Sequence, residues 1–285
     1  METQQQLQRK SARISYWISR KEGANHTLVM LHGVASNHTR WSEFVSSTAL
    51  TSSWNLLRLD LRGHGDSMYH GRIDRRRWAA DLHAIIEKEA LSSVVLLGHS
   101  LGAEIALDYA AIHPQQISGL ILIDPIFHQN LHGVLGWVRR LQFLLWIPVG
   151  FLWLFHALGL RRREYPSRDL NALDEKTRAT LSDNPQMKIA DLYMNPVADL
   201  SYIPFANYLQ DLLAVVQPLP VLEKIKQPVL VLMSGGSSLS DRQRNEKQIN
   251  RIPDVSIQIV DCDHWPLTEQ PEKVRDMIDS WCQAH

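Results

Sequence analysis

Short apolar runs alternate with amphipathic stretches over most of the chain. The runs have the length of strands, and the stretches between them repeat apolar residues at helical spacing. The pattern predicts strands at residues 13–19, 27–31, 55–59, 93–97, 117–123, 228–233 and 255–260. It predicts helices at residues 75–91, 101–113 and 241–250 and after residue 271. Strands that alternate with helices favour an α/β fold, in which helices flank a mostly parallel sheet.

The alternation stops between residues 125 and 227. This stretch has a mostly helical pattern and contains no strong strand pattern, and the alternation resumes at residue 228. We therefore expect one α/β core, made of residues 1–124 and 228–285. Residues 125–227 are expected to form a helical cap, inserted between two strands of that core.

The composition fits an ordinary globular protein. Apolar residues make up 45% of the 285 residues and charged residues 21%, which argues against disorder. Because 30 basic residues balance 30 acidic ones, no overall positive charge points to a nucleic-acid partner. Two cysteines are too few for a disulfide framework. The first 13 residues are polar and lack the pattern of a signal peptide, so we expect a cytoplasmic protein.

Although the net charge of the whole chain is zero, the insertion contains a segment that is both basic and apolar. Residues 125–163 contain five arginines and no Asp or Glu, and residues 141–160 are the most apolar stretch of the chain. A membrane span is disfavoured because Pro148 and two glycines interrupt the stretch, and because a span would divide one core between two sides of a bilayer. Two interpretations remain open and are compatible. The segment covers an apolar pocket, or residues 137–163 also rest on a membrane or lipid surface.

The motif Gly98-His99-Ser100-Leu101-Gly102 lies between an apolar strand and a helix. A turn this tight needs glycine two residues before and after the serine, and it exposes the serine hydroxyl above the sheet. The N-terminus of the following helix favours negative charge that develops at the same place. This context indicates a nucleophilic serine.

The motifs of the chain resemble those of the α/β-hydrolase superfamily, and the resemblance covers the whole chain, though loosely in the insertion. The elbow around Ser100 is joined by three further motifs in the family's order, at residues 31–33, 60–67 and 263–266. The resemblance implies that Ser100 is the nucleophile and His264 its base. It also implies that the backbone N–H groups of Val34 and Leu101 form the oxyanion hole. The sequence contains no Gly-rich phosphate loop and no metal-ligand spacing, so it implies no cofactor and no metal.

The acid that would orient His264 is less clear from the sequence. The family usually carries it in the loop after the strand at 228–233, but this chain has Ser234-Gly235-Gly236-Ser237-Ser238 there, with Ser237 near the usual Asp. Some relatives place the acid one strand earlier, and Asp124 occupies that position. Asp124 is therefore our preferred acid. The alternatives are Asp241, Asp263 or no acid at all.

These residues predict a serine hydrolase that cleaves carboxylic esters with a hydrophobic acyl or alcohol part through an acyl-enzyme. A thioesterase, lactonase, amidase or C–C hydrolase would use the same triad, because the triad does not encode the leaving group. A non-catalytic protein that binds a lipid or small molecule is a third alternative. The residues that we expect to contact the small hydrophobic substrate are His32, Gly33, Trp146, Phe151 and Trp265.

Overall fold

A computed structural model of the chain describes residues 1–184, 186–193, 195–236 and 240–285. The strands within these residues are β1 (Glu2–Gln8), β2 (Arg13–Ser19), β3 (Thr27–Leu31), β4 (Asn55–Leu59), β5 (Val94–His99), β6 (Ile117–Ile123), β7 (Val229–Ser234) and β8 (Val255–Val260). They form one sheet in the order β1-β2-β4-β3-β5-β6-β7-β8. The pairs formed by β1 and β2 are antiparallel, and all the others are parallel. The predicted α/β fold with a mostly parallel sheet is confirmed.

The hydrophobic pattern misses β1. This strand has a single apolar side chain, Leu7, and most of its residues are exposed. It lies at the edge of the sheet and pairs with β2 along its whole length, from Glu2 opposite Ser19 to Gln8 opposite Arg13. An ion pair of 2.7 Å between Glu2 and Arg58 also holds it. Backbone pairing and this ion pair suffice for an edge strand, and neither leaves an apolar signature in the sequence.

Helices cover both faces of the sheet. In chain order the helices within the described residues are α1 (Ser42–Ser47), α2 (Arg75–Lys88), α3 (Leu101–Ile112), α4 (Gly133–Ala157), α5 (Leu170–Asp183), α6 (Ile189–Tyr193), α7 (Pro196–Asp199), α8 (Phe205–Val215), α9 (Arg242–Ile249), α10 (Pro266–Glu269) and α11 (Pro271–Ala284). Side chains of β3 alternate between two buried clusters, because successive residues of a strand point to opposite faces. One cluster lies under α2, α3 and α9, and the other under α1, α10 and α11.

The helices α4 to α8 connect β6 to β7, within the segment predicted as a helical insertion. Helix α4 packs on α8 through Val149, Leu209 and Leu213, which form a small buried cluster of their own. That residues 125–227 form a separate cap remains a prediction. The insertion leaves the sheet at the carboxyl end of β6 and returns to it at β7, so it begins beside the carboxyl ends of the parallel strands. In open α/β sheets this edge is where ligands bind.

Candidate active site

Ser100 lies in the tight turn that joins β5 to α3. Its φ of 53° falls in the left-handed region, which a residue with a side chain occupies only at a cost. A Cβ on Gly98 would collide with the backbone of Gly102, and one on Gly102 would collide with the carbonyl oxygen of Leu31. Only glycine therefore fits at these two positions, as the elbow motif predicts.

His264 lies between β8 and α10 and faces the serine. Its Nε2 is 2.9 Å from the hydroxyl oxygen of Ser100, at hydrogen-bond distance for proton transfer. Hydrogen bonds hold the backbone of His264 and of the preceding Asp263 in place. The ring Nε2–H of His99 donates to the carbonyl oxygen of His264 (2.9 Å), and the N–H of Asp263 donates to Glu269 (2.9 Å). Burial, together with the nearby His264, lowers the pKa of His99 to about 3, which fits its role as a neutral donor.

Asp124, at the end of β6, completes a hydrogen-bonded line. Its Oδ2 accepts a hydrogen bond from Nδ1 of His264. Its Oδ1 accepts two hydrogen bonds from Ser234, from the backbone N–H (3.1 Å) and from the hydroxyl (2.9 Å). Burial opposes ionisation of this carboxyl, but His264 and the two Ser234 donors outweigh it and lower the pKa of Asp124 below its usual value. The carboxylate is therefore the form that faces the imidazole at neutral pH.

The other candidate acids are placed differently. Asp241 is the N-cap of α9, and its side chain accepts from the N–H of Arg244 at 3.0 Å. Ser237 lies outside the described residues. Ser234 is a site residue that the sequence reasoning missed. It is the last residue of β7, directly before the loop where the family usually carries the acid, and it donates two hydrogen bonds to Asp124 at the end of the neighbouring strand β6.

The loop after β3 carries one of the two expected oxyanion donors. Val34 and Gly33 line the cavity in front of Ser100, and Leu101 follows the serine directly. The expectation that His32 contacts substrate is wrong. His32 is completely buried, its Nδ1–H donates to the carbonyl oxygen of Gly33 (2.9 Å), and its Nε2 accepts from the N–H of Leu61 (3.0 Å). Both ring nitrogens are therefore occupied in shaping the loop.

A buried carboxylate from α8 braces the same loop. Oδ2 of Asp211 accepts from the N–H of Ala35 (3.2 Å) and from Nε2–H of His64 (2.8 Å), and Asp211 is completely buried. Burial alone would lower the pKa of His64, but the charge and hydrogen bond of Asp211 raise it above its usual value. Ala35 has a φ of 48°, so the loop is held in a conformation that it would not adopt unaided.

We expect Asp211→Asn to lower the free energy of unfolding by about 3 kcal/mol near pH 6, because a buried ion pair loses one partner. The raised pKa of His64 means that the pair stabilises the protein fully below pH 6.5, and that this contribution is lost as the pH rises through the raised pKa. The destabilisation should therefore shrink between pH 6 and pH 9, as measured by urea unfolding. The exposed Asp276→Asn is the matched control, and an equal loss there, or a loss independent of pH, would contradict the ion pair.

The cavity in front of Ser100 has a volume of about 410 Å³, in the range of small-molecule sites. The core contributes Gly33, Ser100, His264 and Trp265 to its wall. That Gly33 and Trp265 contact the substrate stays a prediction. The insertion contributes a mostly apolar wall that the sequence reasoning did not identify: Ile126, Val134, Leu135, Leu170, Tyr193, Pro196, Tyr208, Leu212 and Val215. The insertion therefore covers the serine with apolar side chains.

Two predicted substrate contacts lie elsewhere, and both expectations are wrong. Trp146 faces a separate groove, where the guanidinium of Arg72 lies over its ring at 5.7 Å. Phe151 is 59% exposed to solvent. The reason is the orientation of α4. Its inner side packs on α8 around Val149, so Phe151 points away from the pocket and the other side of the helix faces outward.

Two arginines in the cavity wall are each paired with an aspartate. Arg40 contacts Asp174 at 2.6 Å, and Arg168 contacts Asp199 at 2.7 Å. Neither arginine was identified from the sequence, because a single arginine outside a recognisable motif gives no signal of burial. Among the described residues, no group of His, Cys, Asp and Glu is arranged to hold a metal ion.

Comparisons with known proteins agree with this fold. A family model described as the alpha/beta hydrolase family matches residues 28–277. The chain is 33% identical to a candidate esterase/lipase of Haemophilus influenzae over 97 residues, which make up 34% of this chain and about a third (33%) of that relative. It is 27% identical to a pimeloyl-acyl-carrier-protein methyl ester esterase of Aromatoleum aromaticum, over 88% of this chain and 96% of that protein.

A solved structure of a candidate lipase from Acinetobacter baumannii matches with a TM-score of 0.71. It covers 99% of this chain and 91% of that chain at 18% identity, so this likeness shows the fold alone. The family match extends over most of the chain, and the strand order and the serine elbow agree with it. The chain therefore belongs to the alpha/beta hydrolase family and is a hydrolase.

Proposed function

We propose that the protein hydrolyses carboxylic esters with an apolar acyl or alcohol part through an acyl-enzyme. The observation that carries this proposal is the chain of hydrogen bonds from Ser100 through His264 to Asp124. Ser100 and His264 line a mostly apolar cavity. A serine hydroxyl is a weak nucleophile at neutral pH, and a base within hydrogen-bond distance activates it. The names of the esterase relatives support an ester as the substrate.

In the proposed reaction, the oxygen of Ser100 attacks the ester carbonyl carbon while its proton moves to Nε2 of His264. The backbone N–H groups of Val34 and Leu101 stabilise the negative charge on the carbonyl oxygen. The imidazolium, stabilised by Asp124, then gives its proton to the departing alcohol, which leaves an acyl-serine. Water attacks the acyl-serine with the same base and releases the carboxylic acid, and the serine is restored.

The cavity favours a neutral, apolar substrate over a charged one. Its insertion wall consists mostly of aliphatic and aromatic side chains, among them Leu135, Leu212 and Val215. The charges of Arg40 and Arg168 are already balanced by their aspartate partners. An anionic substrate would have to break one of these partly buried pairs, at a cost that its own binding would have to offset.

We expect kcat/KM for p-nitrophenyl esters to rise with acyl length until the cavity is filled. Each buried methylene contributes about 0.8 kcal/mol, or roughly a four-fold gain. The measurement is a series from the acetate to the octanoate at constant detergent-free conditions. The control is a thioester and a lactone of equal acyl length. A flat series, or faster turnover of the thioester or lactone, would contradict the proposed substrate class.

A further inference from the structure

One side of α4 presents apolar side chains to solvent along its whole length. The outer face of α4, as we define it, consists of Trp137, Leu141, Leu144, Ile147, Phe151, Leu154 and Phe155. Trp137 is 62% exposed and Phe151 59% exposed. A surface helix of a globular protein normally turns polar residues to solvent, and a continuous exposed apolar face marks a binding surface.

The inner side of α4 is anchored to the protein along its length. Val149 is completely buried against Leu209 and Leu213 of α8. Near the start of the helix, Leu135 lines the cavity in front of Ser100, and near its end Nδ1–H of His156 donates to the carbonyl oxygen of His70 (3.3 Å). Both ends and the inner side therefore contact the rest of the fold, so the helix lies along the surface.

By length and composition this helix could cross a membrane, and it is the one such helix among the described residues. A spanning orientation would separate α4 from α8 and pull its first turn away from the catalytic cavity. An orientation parallel to a bilayer keeps both contacts and buries only the outer face. Helices of this kind bind with the apolar face at the boundary between headgroups and acyl chains.

The charges around α4 favour an anionic surface. Residues 125–163 carry five arginines and no acidic residue. Arg140 is exposed on the outer side with its guanidinium over the Trp137 ring at 5.6 Å, and residues 161–163, all arginine and all exposed, follow the end of the helix. A second copy of the chain docked through this face would bring two positive surfaces together, which disfavours a dimer.

The outer face of α4 leads to the catalytic cavity. Val134, one turn before Trp137, is 71% exposed and also lines that cavity. On the α7 part of the wall, Pro196 lines the cavity and the adjacent Val197 is 79% exposed. Apolar side chains therefore continue from the outer face of α4 to the entrance of the cavity.

We infer that the outer face of α4 lies on the surface of an anionic lipid bilayer, parallel to its plane, with the entrance of the catalytic cavity beside the lipid. An apolar ester dissolved in the bilayer would then reach Ser100 without crossing water. The inference goes beyond the proposed reaction, because it concerns the surface on which the protein acts and not the bond that it cleaves.

The test is co-sedimentation with vesicles of phosphatidylcholine alone and of phosphatidylcholine mixed with phosphatidylglycerol. The protein carries Ser100→Ala, so that binding is read without turnover. The test variant adds Ile147→Gln and Phe151→Gln, at positions 55% and 59% exposed. The matched control adds Ile112→Gln and Val221→Gln, at positions 55% and 54% exposed on other parts of the surface.

We expect the parent protein to bind the mixed vesicles. The substitutions of the test variant should weaken this binding about ten-fold or more, and those of the control should leave it unchanged. Replacing arginines 161, 162 and 163 by Gln should weaken binding to the mixed vesicles by roughly five-fold per arginine and remove the preference for the anionic lipid. Failure of the parent protein to bind either vesicle would overturn the inference, as would equal weakening in test and control. The inference would also be overturned if sedimentation velocity showed that the parent protein is a dimer and that only the test substitutions dissociate it.

Turnover of a soluble ester separates this inference from the proposed function. With Ser100 intact, the test and control variants should hydrolyse p-nitrophenyl butyrate at the same rate in the absence of vesicles. If vesicle binding holds but no ester is cleaved, the proposed reaction is wrong and the membrane surface stands. If ester is cleaved and vesicles are not bound, the membrane surface is wrong and the reaction stands.

Discussion

Ser100→Ala is expected to lower kcat for ester hydrolysis by about a million-fold, the scale seen when a triad nucleophile is removed. The hydroxyl is the atom that His264 faces at 2.9 Å, and alanine offers nothing to attack the carbonyl carbon. The variant should fold normally, because alanine carries the same backbone cost as serine at a φ of 53°. The measurement is steady-state hydrolysis of p-nitrophenyl butyrate, with a thermal unfolding curve to confirm the fold.

Ser36→Ala is a matched control for this variant. Ser36 lines the same cavity, and its hydroxyl has no hydrogen-bond partner among the residues that the structure describes. Its removal should leave turnover close to that of the wild type. Retained turnover in Ser100→Ala, or an equal loss in Ser36→Ala, would show that the serine of the elbow is not the nucleophile.

Asp124→Asn is expected to lower kcat by roughly 10⁴-fold with little change in KM, by analogy with the acid of a well-studied triad. The environment of Asp124 explains the direction of the effect. Ser234 donates two hydrogen bonds to Oδ1, so the oxygen of an asparagine would stay on that side and its NH₂ would face Nδ1 of His264. A donor at that place forces the proton to Nε2, and the imidazole can then no longer accept the proton of Ser100.

Asp241→Asn tests the alternative acid with the same chemical change. Asparagine caps a helix about as well as aspartate, so α9 should keep its stability and kcat should not change. The comparison is made by steady-state kinetics on the two variants under the same conditions. A strong loss of kcat in Asp241→Asn, with near-normal turnover in Asp124→Asn, would contradict the geometry described above.

The fold was predictable from the sequence where burial leaves an apolar signature. The strands β2, β3, β4, β6 and β8 lie at the predicted residues. The reason is clearest for β3 and β6, which are parallel and almost entirely buried and are therefore nearly continuous apolar runs. The edge strand β1 was not predictable in this way, because its stability comes from backbone pairing and an ion pair of Glu2. Polar side chains give no periodic signal in such a strand.

The nucleophile elbow, the acid and the cavity wall of the candidate site differ in how far the sequence predicts them. The elbow around Ser100 is a local motif, so its geometry follows from a few neighbouring residues. The partner of His264 was left open among several aspartates, because residues 124 and 264 come together only through the sheet order. Trp146 and Phe151 were assigned to the pocket from apolar composition, which does not tell which side of α4 packs on α8. The residues of α5 to α8 that line the cavity have no distinctive pattern.

The activated nucleophile at Ser100 is tested most directly by the mass of the intact protein after treatment with a fluorophosphonate. Such a reagent phosphonylates an activated serine far faster than an ordinary one, because a neighbouring base takes up the proton as the serine oxygen attacks phosphorus and fluoride leaves, and the oxyanion hole stabilises the transition state. We predict one adduct per wild-type chain, located by peptide mapping on Ser100, and no adduct on Ser100→Ala. A folded wild-type protein that gains no mass, or an adduct that persists in Ser100→Ala, would contradict the account.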